Sequence, residues 1–219
     1  MSLAALIFDL DGTLVDSDPY HLRAFREMGA RTGIDVDEEY FLQHISGRSN
    51  GEICAGLWPA ASEDEHLRLS AEKETLFRSM LGDISPISGL RALLDWAKHR
   101  GLSMAVVSNA PKVNILAITE ALGITDCFSA LISGEDLGRG KPDPLPYLAA
   151  LERLNVPASH AVAFEDASAG IRAAVAAEIP TVGIATTQTH EFLRDAGAIL
   201  SVGDFSDARL QAYLEKRAE

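Results

Sequence analysis

Short apolar runs recur through the second half of the chain: LSMAVVSN (102–109), ALISG (130–134), AVAFED (161–166), PTVGIAT (180–186) and AILSVGD (198–204). Apolarity that is nearly continuous, not alternating, predicts strands covered on both faces, as in a parallel sheet. Segments of helical period lie between them. GLRALLDWAKHRG brings Leu90, Leu93, Leu94 and Trp96 near one face and stops at Gly101, and KVNILAITEALGI ends at Gly123. PLPYLAALERLNV and SAGIRAAVAAEI follow the same period. Strand and helix in alternation predict an α/β fold with a doubly wound, Rossmann-like parallel sheet. ALIFDLD (5–11), near the start of the chain, supplies one more strand of this kind.

Residues 18 to about 82 have a different texture. PYHLRAFREMGARTGI, DEEYFLQHI, SNGEICAGLW and EDEHLRLSAEKETLFRSML are helical in pattern, with no strand candidate among them. The flanks, LVDSD and GDISPISG, carry the Gly, Pro and Ser of hinges. The expectation is a helical domain, residues 17–84, inserted into a core made of residues 1–16 and 85–219.

The polar residues fall at the strand ends. The first strand runs into Asp9-Leu10-Asp11-Gly12-Thr13, the second into Ser108-Asn109, and a later one into Glu165-Asp166. GRGKPDP (138–144) places Lys141 in a Gly/Pro-rich loop before a helix. In an open parallel sheet the crevice beyond the carboxyl ends of the strands is where ligands bind. Taken singly, Asp-Gly marks a turn, Glu-Asp-Ala-Ser caps a helix, and a loop lysine is solvated. A calcium loop opened by Asp9 would need a glutamate at its twelfth position, where Tyr20 stands. Together they point to chemistry. Buried carboxylates are costly unless a cation compensates them, and Mg²⁺ prefers oxygen ligands. A carboxylate can also attack a phosphoryl group, whose transfer depends on positioning and on cationic stabilisation.

Composition narrows the partners. Nineteen basic against 32 acidic residues give a net charge of −13, which argues against nucleic acid or an anionic membrane. A small phosphorylated ligand remains compatible if cations line the site locally. MSLAAL has no basic residue, and Asp9 interrupts the apolar stretch that follows, against a secretory signal. No apolar run is long enough to cross a bilayer. Cys54 and Cys127 have no metal-type spacing and are expected to be reduced core thiols. A cytoplasmic monomer is the expectation.

DLDGT after an apolar strand, VVSNA, GRGKPDP and FEDASAG, in this order, resemble the four motifs of the haloacid dehalogenase superfamily. The helical insert after the first motif is similar to the cap of the subfamily of β-phosphoglucomutase, phosphoglycolate phosphatase and small sugar-phosphate phosphatases. The resemblance implies a Rossmann-like core over which the cap closes. It implies Asp9 as nucleophile and Asp11 as general acid/base, with Thr13 following in the motif. Ser108 and Asn109 would bind the transferring phosphoryl group, and Lys141 would bridge it to Asp9. Mg²⁺ would be held by Asp9, Asp166 and the Asp11 backbone carbonyl, with Glu165 in support. True dehalogenases of the superfamily lack the second aspartate, so Asp11 argues against dehalogenation. In the insert, His21 and the loop SGRSN, with Arg48 and Asn50, resemble the cap's substrate-specifying positions; in the mutase an arginine near Asn50 grips a second phosphate. The resulting expectation is a Mg²⁺-dependent phosphatase acting on a sugar or polyol phosphate. A phosphosugar mutase, a phosphoglycolate phosphatase and a non-catalytic phosphometabolite binder are the alternatives.

Overall fold

Six runs of small, β-branched and aromatic residues with no polar face pair into one parallel sheet. The computed structural model describes residues 2–45, 48 and 50–219. In chain order the elements are β1 (Ala5–Phe8), α1 (Asp18–Thr32), α2 (Glu38–His44), α3 (Asn50–Leu57), α4 (Glu63–Ser79), α5 (Leu90–His99), β2 (Ser103–Ser108), α6 (Lys112–Ala121), β3 (Ala130–Ser133), α7 (Leu145–Leu154), β4 (Ala161–Glu165), α8 (Ser168–Ala176), β5 (Thr181–Ile184), α9 (His190–Asp195), β6 (Leu200–Val202) and α10 (Ala208–Ala218). The chain divides into two compact units, Met1–Asp16 with Ile84–Glu219, and Ser17–Asp83.

The first unit holds the sheet, in the order β3-β2-β1-β4-β5-β6. After β1 the chain runs outward through β2 and β3, then returns to β4 on the other side of β1. The reversal makes the carboxyl end of β1 a topological switch point, where open sheets leave a binding crevice. Register brings the motifs level there. Phe8 pairs with Val106 of β2 and with Phe164 of β4, and the Asp9 amide donates to the Phe164 carbonyl at 3.0 Å. Asp9 therefore leaves its strand beside Glu165.

Both faces of β1 are buried, which is why its sequence shows no alternation. Ala5 and Ile7 pack with Ala105, Val107, Tyr147, Ala150 and Ala173. Leu6 and Phe8 point to the opposite face. There Phe8 stacks on Phe164, with ring centroids 4.8 Å apart, and meets Phe128 and Phe205 edge-on at 6.1 Å each. Helix α5 buries Leu90, Leu93, Leu94 and Ala97, the spacing of a single helical stripe.

The second unit is helical, with no strand among its described residues. Helix α1 has Pro19 in its first turn and ends at Gly33 in the left-handed conformation. Helix α4 opens with a side-chain N-cap: Ser62 accepts from the Glu65 amide at 3.3 Å. Leu22, Phe25, Val36, Phe41, Ile45, Ile53 and Leu57 form the core of this unit.

The α/β fold read from the sequence is the fold observed. Three local differences have physical reasons. Helices α9 and α10 were not assigned: α9 has six residues, too few to show a period, and α10 buries only Leu210 and Leu214. AILSVGD forms a strand only over Leu200–Val202, at the sheet edge. Cys54 is a buried thiol, but Cys127 is only half-buried, in a short 3-10 turn outside the core. Among the described residues no helix is long and apolar enough to cross a membrane.

Phe8→Ala would open a cavity at the centre of the aromatic cluster, directly behind Asp9. Denaturant unfolding should show a loss of about 3–5 kcal/mol. A loss near 1 kcal/mol, that of an average substitution, would contradict this central packing role.

Candidate active site

Four side chains converge at the switch point. Asp9 follows β1, Glu165 ends β4 and Asp166 follows it; all three are buried. Lys141 enters from the loop before α7, its side chain only 5% exposed. Its Nζ donates to Asp9 Oδ1 at 2.5 Å and to Glu165 Oε1 at 2.6 Å. The Tyr147 hydroxyl donates to the same Glu165 oxygen at 2.6 Å. Asp9, Glu165 and Asp166 each offer a carboxylate oxygen within 4.8 Å of the others.

Two glycines make the approach possible. Gly12 has φ +78°, and a Cβ there would lie 2.2 Å from Asp166 Oδ2. A Cβ on Gly170, in the first turn of α8, would lie 2.0 Å from the Glu165 carboxyl group. The chain after β1 then folds tightly on itself, the Gly12 amide donating to the Val15 carbonyl at 2.7 Å and the Leu14 amide to the Leu10 carbonyl at 2.8 Å.

Three carboxylates face one ammonium, and the electrostatics record the deficit. Desolvation, then the charges of Asp9 and Glu165, push Asp166 up to about 8. Desolvation also raises Glu165, to about 7, although Lys141 opposes the shift. Burial works against the charge on Lys141, but Asp9 and Glu165 outweigh it and raise its proton affinity. Asp9 Oδ2 is buried and has no hydrogen-bond partner among the described residues. An anionic, all-oxygen donor set with an unpaired oxygen fits a hard divalent cation such as Mg²⁺. Asp11 is half-buried, and its carboxylate is not one of the three that share this space.

A family profile described as haloacid dehalogenase-like hydrolase matches residues 3–178. The chain belongs to that hydrolase family. It is 33% identical over 206 residues to the validoxylamine A 7'-phosphate phosphatase of Streptomyces hygroscopicus subsp. limoneus, covering 93% of this chain and 94% of that protein. It is 30% identical over 226 residues to the β-phosphoglucomutase of Bacillus subtilis, covering 98% and 95%. The crystal structure of a haloacid dehalogenase family IA hydrolase from Entamoeba histolytica superposes with a TM-score of 0.86 at 27% identity, covering 98% of this chain and 100% of the other. The chain also matches SUPPRESSOR OF QUENCHING 1, chloroplastic, of Arabidopsis thaliana, at 28% identity over 221 residues; it spans about a fifth of that protein (21%).

Not every residue of the haloacid dehalogenase-like motifs presents its side chain to the crevice. The Asn109 side chain faces the lysine loop: its Oδ1 accepts from the Lys141 amide at 2.7 Å and its Nδ2 donates to the Lys141 carbonyl at 3.1 Å. Both ends of the amide engage the lysine loop, so its side chain positions Lys141. Gly140 leaves room for it, since a Cβ there would lie 2.5 Å from Asn109 Oδ1. Thr13 is fully buried and its hydroxyl has no partner among the described residues. Ser108 is buried at the end of β2, its Oγ accepting from the Ala110 amide at 3.0 Å.

In the helical unit, His21 and Asn50 are brought together by two residues the sequence did not single out. Lys73 and Glu74 are buried, with Nζ 2.6 Å from Glu74 Oε1. The same Nζ lies 3.1 Å from His21 Nδ1 and 3.3 Å from Asn50 Oδ1, and Asn50 Nδ2 donates to Glu74 Oε1 at 2.7 Å. The His21 ring stacks on Phe77 with centroids 3.9 Å apart. Burial first, and then the Lys73 charge, lower His21 to about 3, so it is a neutral ring accepting at Nδ1. Arg48 is exposed and donates to the Gln43 carbonyl at 3.2 Å. The rest of that predicted loop, Ser46, Gly47 and Ser49, lies outside the described residues.

Tyr147, Thr186 and Thr187 were also missed. Tyr147 sits in a helical pattern where an aromatic reads as core, which its ring is. The two threonines follow β5, so the criterion of polar residues after a strand could have found them. Lys73, within AEKET, looks like part of a solvated helix face.

The raised carboxyls give a pH dependence of known sign. When unfolded, Asp166 and Glu165 ionise near 3.8 and 4.5; when folded they hold protons to about 8 and about 7. Unfolding therefore releases protons, and stability falls as pH rises through this window. His21, lowered from 6.5, acts in the opposite sense only below that value. The raised Lys141 stays protonated well past pH 8 in both states. The melting temperature of chelator-treated protein should decline from pH 6.5 to pH 8; a rise across that interval would contradict the assignment.

Proposed function

We propose that this hydrolase cleaves a small phosphate monoester, of the sugar or polyol phosphate class, through a phosphorylated Asp9 with Mg²⁺ as cofactor. The observation that carries the reading is the buried carboxylate trio around one ammonium, with Asp9 Oδ2 left without a donor. Asp9, Asp166 and the Asp11 backbone carbonyl would hold the metal, supported by Glu165. Bound there, Mg²⁺ would supply positive charge against the phosphoryl oxygens.

The remaining roles belong to the chain. An Asp9 carboxylate oxygen attacks phosphorus as the bond to the substrate oxygen breaks, and Asp11 delivers a proton to that leaving oxygen. Water then attacks the same phosphorus, Asp11 takes its proton, and the bond to Asp9 breaks to release phosphate. Lys141, fixed between Asp9 and Glu165 and held by Asn109, keeps the nucleophile aimed and adds charge beside the transferring group. The Ser108 hydroxyl would donate to a phosphoryl oxygen.

Selectivity falls to the helical unit. Its network of His21, Asn50, Lys73 and Glu74 offers neutral and charged hydrogen-bonding groups suited to hydroxyls. A second phosphate or a carboxylate favours a guanidinium, and Arg48 is engaged with a main-chain carbonyl. This supports a sugar or polyol monophosphate over phosphoglycolate or a bisphosphate. Identity with a mutase as well as with phosphatases supports phosphosugar chemistry of either kind.

Phosphate release should be measured over a panel of sugar phosphates, polyol phosphates and phosphoglycolate. Turnover is expected with sugar or polyol phosphates, abolished by chelation, restored by Mg²⁺ and lost in Asp9→Asn. Asp11→Asn should slow it by about 10²–10⁴-fold. Near wild-type turnover in Asp9→Asn would refute the nucleophile. Conversion of β-glucose 1-phosphate to glucose 6-phosphate without phosphate release would establish the mutase instead, and preference for phosphoglycolate lost in Arg48→Ala would overturn the substrate class.

A further inference from the structure

The loop between β5 and α9 bonds to the segments that carry the acidic cluster through three consecutive side chains, and one of them reaches a carboxylate of the cluster. The Thr186 hydroxyl donates to the Gly12 carbonyl, on the turn that carries Asp11. The Thr187 hydroxyl donates to Asp166 Oδ2 and lies 3.1 Å from the carbonyl oxygen of the same residue. Gln188 Oε1 accepts from the Ser168 amide at 3.0 Å, at the start of α8. One short loop thus ties the turn after β1, the acid after β4 and the helix that follows it.

The contact with Asp166 is specific to one oxygen. Oδ2 has the Thr187 hydroxyl on one side, and Gly12 packs so closely against it that a Cβ there would be 2.2 Å away. With that oxygen pinned, the carboxylate plane has little freedom, and the orientation of the second oxygen is set. From this geometry we propose that Thr187 is a positioning residue that orients Asp166 for the divalent cation and so sets the metal affinity of the site. The inference rests on the metal reading given above. Hydrogen bonds onto ligating carboxylates commonly govern affinity in this way, and removing one costs roughly 10–100-fold in binding or activity.

A role confined to anchoring the loop would give a different result. Thr187 belongs to an exposed loop, so loss of its hydroxyl as a mere anchor would lower thermal stability without a selective effect on metal. The test is calorimetric titration of Mg²⁺ into wild type, Thr187→Val and Thr187→Ser without substrate, with melting temperatures in chelator and kcat at saturating Mg²⁺. Thr187→Val keeps the shape and removes the donor. It should raise the Mg²⁺ Kd by about tenfold or more with a melting temperature close to wild type, while Thr187→Ser should stay within about twofold. Wild-type affinity in Thr187→Val would overturn the role of Thr187 alone. So would a Ser variant as weak as the Val variant, or weakened binding accompanied by an equal loss of stability in chelator. Absence of Mg²⁺ binding by the wild type would overturn the metal reading and this inference with it.

Discussion

Three carboxylates buried beside a single ammonium are the constraint on which the rest of the structure depends. Each ion removed from water costs several kcal/mol, and Lys141 compensates at most one net charge. The fold tolerates the arrangement because the groups come from rigid places. Asp9 and Glu165 leave adjacent, register-locked strands, and Gly12 and Gly170 remove the side chains that would hold their loops apart. The protons retained on Glu165 and Asp166 up to about 7 and about 8 follow from their burial first, and then from the like charges around them.

The apolar interior reaches the acidic cluster through Tyr147. Its ring is buried with Ala5, Ile7, Ala105 and Val107, and its hydroxyl reaches out of that packing to Glu165. From Glu165 the chain of contacts passes to Lys141 and then to Asp9. The orientation of the Asp9 carboxylate is thereby tied to the hydrophobic core. Asn109 does comparable work from the other side by pairing with both backbone polar groups of Lys141.

What was legible in the sequence follows from this design. Strands covered on both faces must be apolar throughout, so the parallel sheet could be read directly, as could the helical character of the insert. Asp9, Lys141, Glu165 and Asp166 were visible because charged groups at the ends of such strands or in a Gly-rich loop need a reason. Direction was not visible. Asn109 stands at a strand end like Ser108, yet its amide turns to the lysine loop, and Thr13 turns inward. Tyr147 and Lys73 were hidden because an aromatic or a lysine within a helical pattern has an ordinary explanation. Only the three-dimensional meeting of Lys73 with His21, Asn50 and Glu74 marks it out.

The central claim is that the acidic cluster holds protons in place of a divalent cation. Titrating Mg²⁺ into the protein at pH 7, in buffers of different ionisation enthalpy, counts the protons exchanged on binding. The account predicts binding with release of about one proton per ion, drawn from Asp166 and Glu165. Binding whose heat is independent of the buffer, or no binding at all, would contradict it.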